Sequence, residues 1–214
     1  EAVQAPEFPQ NHLVSDAILQ NYQWKSFIRS QLSQGEVPLW NPHQFSGIPF
    51  LAAGQHSALY PLSLIYYIMP LWLAYGWFTV INLWLAGVFM YLFARGLGIG
   101  RAGAMLGAVI YQFSGFVMAS VVFQMMIGGL PWLPLMLLMI EYIIRRKSLF
   151  GHRTAIPWVA IGAFALAMNV LAGHVEITLY SLLISGFYTA IRWLHDSFRV
   201  RRMSLMLSQA AWVL

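Results

Sequence analysis

The sequence predicts an all-α membrane protein, a polytopic bundle of hydrophobic helices that crosses the bilayer several times. Of its 214 residues, 59% are hydrophobic and only 9% are charged, whereas soluble domains have roughly 25% charged residues. No Asp, Glu, Lys or Arg lies within residues 71–94 or between Arg101 and Glu141. Uncharged stretches of this length are typical of helices that span a hydrocarbon layer ~30 Å thick.

We expect helices rather than barrel strands in each span. Backbone groups left unpaired in lipid cost several kcal/mol, and only helices and closed barrels avoid that cost. Barrel strands are ~10 residues long and alternate in polarity, which these stretches do not. The transmembrane bundle is predicted over residues 71–214, with spans at 71–94, 102–122, 125–144, 156–173 and 177–194 and a truncated helix from residue 204.

The basic residues predict the orientation of the bundle. Ten of the 12 Lys and Arg residues lie in alternate connections, as expected of cytoplasmic loops. Residues 1–61, the Phe123-Gln124 turn and the 172–176 turn are then external. The positive charge follows the helix ends, so we expect no nucleic-acid partner. The ten residues are Arg95, Arg101, Arg145, Arg146, Lys147, Arg153, Arg192, Arg199, Arg201 and Arg202.

Residues 1–61 are predicted to form an external loop that carries a surface helix. Apolar residues from Ser15 to Gln34 recur near helical spacing, which indicates an amphipathic helix on a surface. Residues 62–70 are too short to span and indicate an interfacial or re-entrant segment. Because the sequence begins without Met and ends within an apolar run, we interpret it as a fragment of a longer chain.

Three residues are candidates for catalysis: Asp16, His174 and Glu176. Asp16 precedes the surface helix, where a carboxylate is either a helix N-cap or a general base at the membrane surface. His174 and Glu176 lie between two spans, where ionisable groups indicate a functional site unless they only reach interfacial water. Within the predicted helices no His or acid pair has metal-ligand spacing, and there is no cysteine. We therefore predict no metal site and no cofactor, with a divalent metal left open.

Several short motifs resemble the YfhO-type bacterial membrane proteins, within the GT-C class of lipid-linked-sugar glycosyltransferases. They keep the family order over nearly the whole sequence. The motifs are Asp16 with Gln20, Pro38-Leu39-Trp40-Asn41-Pro42, Phe45-Ser46-Gly47-Ile48-Pro49-Phe50, Tyr60-Pro61, Tyr111-Gln112-Phe113-Ser114-Gly115 and Leu171-Ala172-Gly173-His174. One departure is Gly173-His174-Val175-Glu176, where relatives often have Gly-His-Pro-Gln.

The resemblance implies a multi-pass enzyme of the bacterial plasma membrane that takes a sugar from a polyprenyl-phosphate donor. The acceptor would be a cell-surface polymer or lipid, and Asp16 matches the position of the usual catalytic base. We expect Asp16 to accept the proton of the attacking hydroxyl, and a cation such as His174, Lys25 or Arg29 to stabilise the leaving phosphate. The predicted substrate-binding residues are Gln20, Lys25, Arg29, Trp40 and His56.

Two other classes stay open. A non-catalytic membrane subunit would use the same helices and the external loop to bind membrane protein partners. A transporter is expected to show internal repeats or paired broken helices. The sequence shows no repeat, and only residues 112–115 indicate a break.

Overall fold

The computed structural model describes residues 15–148 and 154–210, with side chains described as far as Asp196 and at Phe198. Residues 1–14 of the predicted loop, Arg153 and residues 211–214 lie outside this part. The regular elements of the described chain are helices and one short antiparallel strand pair, β1 (Trp40–Asn41) and β2 (Ile48–Pro49). The prediction of an all-α helical bundle is confirmed.

The helices are numbered in chain order. Besides the α-helices there is one π-helical turn, Ala17–Tyr22, and there are two 3-10 turns, Pro61–Leu64 and Ser120–Val122. The α-helices are α1 (Gln23–Ser33), α2 (Phe50–Ala53), α3 (Ile65–Ile68), α4 (Leu71–Gly96), α5 (Arg101–Gln112), α6 (Gly115–Ala119), α7 (Gln124–Gly129), α8 (Trp132–Ile144), α9 (Ile156–Leu171) and α10 (Val175–Ala210).

Four helical stretches within the described residues are long and apolar enough to cross a membrane. They are Leu71–Gly96, Arg101–Val122, Gln124–Ile144 and Val175–Asp196. The predicted span at 156–173 is present as α9, but its 16 residues rise only about 24 Å, less than the ~30 Å hydrocarbon thickness. These lengths and compositions indicate a membrane protein.

The second span is broken at Phe113–Ser114. Helix α5 ends at Gln112, and the Ser114 hydroxyl caps α6 by accepting the amide hydrogen of Val117 at 3.4 Å. The side chain of Gln112 packs on Gly87 of α4 so closely that a Cβ there would collide with Oε1 of the amide. The polar interruption therefore produces both a break and a close helix contact.

The third span is interrupted between Gly129 and Trp132, where Pro131 has no amide hydrogen to donate. Carbonyls near this interruption accept hydrogen bonds from side chains of three surrounding segments and from Trp132 of the same span. The bonds are Tyr60 Oη and Trp132 Nε1 to Gly128, Asn169 Nδ2 to Gly129, and Tyr111 Oη to Leu130, at 2.8–3.0 Å. These hydrogen bonds give the backbone carbonyls around the interruption partners inside the bundle.

The last helix corrects one prediction. Helix α10 continues from Val175 to Ala210, so the separate helix expected from residue 204 is its continuation. Residues 187–210 contain neither Gly nor Pro, and polar side chains alone do not end a helix.

Residues 15–70, here called the amino-terminal layer, lie across one end of the bundle. Trp24 and Ile28 of α1 pack with Phe50 into a small apolar core. Tyr60 is 1% exposed and inserts among the bundle helices, where its hydroxyl lies 2.9 Å from Asn82 Oδ1. Tyr66 donates to Gln124 Oε1 at 2.9 Å, which ties the layer to the turn between the second and third spans.

Candidate functional site

The amino-terminal layer meets the Gly173 turn directly. Ser57 donates its hydroxyl hydrogen to the carbonyl of Ala172 at 2.6 Å. Gly173 has a φ of +88° and lies so close to Gly54 that a Cβ there would collide with the Gly54 carbonyl. Only glycine satisfies both conditions. The two regions in which sequence reasoning placed its catalytic candidates therefore share one end of the bundle.

Lys25 and His56 form the interior of the layer, and each is 2% exposed. Lys25 Nζ donates to the His56 carbonyl at 2.6 Å and lies 4.4 Å from the centre of the Tyr66 ring. His56 Nδ1 accepts from the Ala58 amide, so Nε2 carries the proton that it donates to the Phe50 carbonyl. Both predicted substrate-binding side chains thus hold the layer together and face no open surface.

Burial changes the protonation of both groups. Desolvation lowers the pKa of Lys25 to about 7. The pKa of His56 is also lowered, first by desolvation and further by the charge on Lys25, while the bond to the Phe50 carbonyl acts in the opposite direction. The amine of Lys25 therefore loses its proton far more readily than an exposed lysine.

Asp16 is exposed and its side chain caps no helix. Its carbonyl, not its carboxylate, accepts a hydrogen bond from Asn21 Nδ2 at 3.5 Å. The N-cap interpretation is therefore not realised, because Asp16 itself has helical backbone angles. Gln20 follows one turn later and is half-buried. Gln20 belongs to the π-helical segment Ala17–Tyr22, and Asp16 directly precedes it; π-helical turns are rare and are frequent at functional sites.

His174 and Glu176 begin α10. His174 Nδ1 accepts the amide hydrogen of Ile177 at 3.2 Å, so the imidazole caps the helix. Glu176 is exposed in the first turn, where its negative charge is favourable beside the positive end of the helix dipole. Each residue therefore has a structural role at the helix start. Because Nδ1 of His174 is an acceptor, the ring proton is on Nε2.

Arg29 lines a cleft of about 500 Å³ between α1 and the start of α4. Its Nη1 donates to the carbonyl of Met69 at 3.1 Å. Arg29 lies thirteen positions after Asp16 along continuous helical turns, a rise of about 20 Å at the α-helical spacing. The two side chains therefore cannot act on the two ends of one sugar-phosphate bond. The remaining cleft residues are Tyr22, Ser26, Ser30, Ser33, Pro70, Leu71 and Trp72.

Trp40 lies apart from these groups on the strand pair. Its indole is 55% exposed and covers Gly47 across the short hairpin. An exposed indole face is suited to stacking on a sugar ring or to contact with the membrane surface.

No group of three or more His, Asp or Glu side chains that could hold a metal ion occurs in residues 15–148 and 154–210. The ionisable groups that do cluster lie at the opposite end of the bundle. Glu141 of α8 is 0% exposed and is bound by Arg192 through both carboxylate oxygens, at 2.7 and 2.9 Å. Tyr188 donates at 2.6 Å, and Arg145 completes the cluster.

Sequence reasoning missed this cluster. Glu141 is the only acid between Arg101 and Arg145, and an isolated acid within an apolar span indicates a partner inside the bundle. That signal was available, but it did not identify Arg192, which is 51 residues away.

No protein-family model, curated protein sequence or solved structure matches this chain. The fold and composition alone thus define its class, a protein with a helical bundle suited to a membrane.

Proposed function

We propose that the chain is part of a GT-C-like membrane glycosyltransferase. It would move a sugar from a polyprenyl phosphate to a cell-envelope acceptor at the face that carries the amino-terminal layer. The observation that supports this most is the junction of Ser57 with Ala172 and of Gly54 with Gly173. It brings the segment bearing Asp16 and the turn bearing His174 to one end of the bundle.

In the proposed reaction, Asp16 is the general base. The carboxylate accepts the proton of the acceptor hydroxyl while that oxygen bonds to the anomeric carbon. The bond between the anomeric carbon and the phosphate oxygen breaks, and the lipid phosphate leaves with the electron pair. Asp16 suits this role because it is exposed and its carboxylate caps no helix.

The leaving phosphate needs a hydrogen-bond donor or a cation. Lys25 is interior, and the helical rise places Arg29 about 20 Å from Asp16. Of the three groups considered from the sequence, His174 remains. Because Nδ1 is occupied by the Ile177 amide, His174 would donate through Nε2 as a neutral ring, aided by the positive end of α10.

The transporter alternative is less well supported. The second and third spans are both interrupted, as in broken-helix transporters. However, the carbonyls at Gly128, Gly129 and Leu130 are occupied by side chains of the bundle. They are thus unavailable to coordinate a transported ion.

The test is Asp16→Asn in the full-length protein, assayed in membranes by transfer of labelled sugar from a polyprenyl-phosphate donor. We expect transfer to fall about 100-fold or more, because a general base contributes 10²–10⁴. The matched control is Glu36→Gln, which neutralises an exposed carboxylate of the same layer and should leave transfer unchanged. Full transfer by Asp16→Asn at a normal protein level would favour the non-catalytic subunit.

A further inference from the structure

Three described helices end in the same hydrogen-bonded motif, but only one of them lacks glycine at its left-handed position. In this motif the last turn is closed by two backbone bonds, and the residue after the C-cap has positive φ. Helices α1 and α4 use Gly35 (φ +77°) and Gly98 (φ +93°), whereas α8 uses Arg146 (φ +49°). The two bonds of α8 are Arg146 N–H to Ile143 and Lys147 N–H to Tyr142, at 3.0 and 2.9 Å.

The backbone gains nothing from arginine at this position. A side chain disfavours the left-handed region, and glycine adopts it freely. The positive charge that is favourable at a helix C-terminus is already supplied by the neighbouring Arg145 and Lys147. Strained backbone held by a non-glycine residue is a feature of binding sites. The reason for arginine at this position is therefore sought in what its guanidinium contacts.

Arg146 lines a cleft of about 400 Å³ between the end of α8 and the start of α9. Lys147 is positioned beside it, with Nζ 4.1 Å from the centre of the Tyr142 ring and its carbonyl bound by Trp158 Nε1 at 2.9 Å. Among the described residues that line the cleft there is no carboxylate, and Thr154 adds a hydroxyl. Two cations and a hydroxyl in a concave site recognise a phosphate.

The position of the cleft indicates where that phosphate comes from. It lies at the ends of two apolar helices and is lined by Trp158 and Tyr142, and aromatic residues at such helix ends are typical of the lipid headgroup level. On α9, Ile156 is 75% exposed and Val159 is 53% exposed, which offers an apolar surface for acyl chains. Basic pockets of this kind between membrane helices suit anionic lipids.

We propose that this cleft binds the phosphate of an anionic phospholipid, and that Arg146 is retained in a left-handed conformation for this contact. The site lies at the opposite end of α9 from the Gly173 turn, so the proposal is independent of glycosyl transfer.

The test is Arg146→Gly in the full-length protein, purified in detergent and titrated with dioleoyl phosphatidylglycerol. Without lipid, the glycine should raise the thermal unfolding midpoint by about 2 °C, because the left-handed strain is removed. The dissociation constant for phosphatidylglycerol should rise about tenfold, since a bidentate charged contact is lost. A variant that is more stable and yet binds the lipid more weakly is not explained by damage to the fold.

The charge control is Arg101→Gln, which removes one exposed positive charge from another connection and should change the lipid affinity less than about twofold. Equal losses of lipid affinity in the two variants would mean that the lipid is attracted only by overall positive charge, and would overturn the proposal. So would unchanged binding by Arg146→Gly, a lower midpoint of that variant without lipid, or equal stabilisation of the wild type by phosphatidylcholine or inorganic phosphate.

Discussion

Lys25 is a buried amine whose neighbours include a carbonyl, an aromatic ring and a buried histidine. Its pKa of about 7 in the folded protein, against 10.5 when unfolded, means that between these values the unfolded chain binds the extra proton. Stability therefore rises with pH in this window, by up to about 1.4 kcal/mol per pH unit, and is lost again as pH falls toward 7.

We predict that Lys25→Met removes this rise. Thermal unfolding midpoints at pH 7.5, 8.5 and 9.5 would increase in the wild type and stay nearly level in the variant. The range ends below pH 10, because burial raises the pKa values of Tyr60, Tyr66 and Tyr67 and these groups act at higher pH.

The control for Lys25→Met is Lys147→Met, which changes the only other lysine of the sequence, at an exposed position. This variant should keep the pH dependence of the wild type. A Lys25→Met protein that gained stability with pH as steeply as the wild type would show that Lys25 is charged in the folded state.

Individual side chains were the hardest feature to predict from the sequence. Lys25 and His56 were interpreted as substrate-binding because polar residues of a loop are commonly solvated. Their burial depends on α1 lying against residues 50–66, a contact that no local pattern reveals. Asp16 and Arg29 were correctly expected in one helical segment. The helical rise separates them by about 20 Å, too far for the shared role that was assigned to them.

Among the elements, the turn between α9 and α10 depends most strictly on one residue. Gly173→Ala would place a Cβ against the Gly54 carbonyl in a left-handed backbone. We predict a loss of about 2–4 kcal/mol, from strain and from displacement of residues 54–57, measured by thermal or denaturant unfolding in detergent.

The matched control for Gly173→Ala is Gly186→Ala, where a Cβ on α10 meets no atom within 4 Å. That change should be neutral or stabilising by up to about 1 kcal/mol, because alanine favours helix. Similar stabilities of the two variants would contradict the close junction between the turn and the amino-terminal layer.

The positions of the helices followed from the sequence because their signals are local. Apolar stretches gave α4, the third span formed by α7 and α8, and α9 nearly at their observed bounds. The long α10 was divided in two because its positive residues were interpreted as a loop, whereas hydropathy reports contact with lipid and not the end of a helix. The strand pair of the layer was missed, because two residues per strand give no alternation.

At the scale of the whole molecule, the two ends of the bundle differ in chemistry. One end carries the amino-terminal layer, which binds the turns at Gln124 and Ala172. At the other end, Arg145 Nη1 donates to the Gly96 carbonyl at 3.2 Å, so two of the positive connections meet. This is the alternation that the basic residues predict, and the side of the membrane on which each end lies stays a prediction.

Single-cysteine labelling tests that orientation. The sequence has no cysteine, so Phe45→Cys (92% exposed), Val175→Cys (82%) and Ile99→Cys (44%) each introduce one accessible thiol. In intact cells, a membrane-impermeant maleimide should label the first two, and it should label Ile99→Cys only after permeabilisation. Labelling of Phe45→Cys and Val175→Cys from opposite sides would exclude a shared active site.

The buried Glu141 cluster has a consequence for biogenesis. Arg145 follows Glu141 one turn later on α8, so this helix can enter the lipid with its acid already partly neutralised. Arg192 is synthesised 51 residues after Glu141, and it supplies the two-point contact that satisfies both carboxylate oxygens. Both oxygens of the Glu141 carboxylate are therefore satisfied only once α10 has been synthesised and has packed against α8.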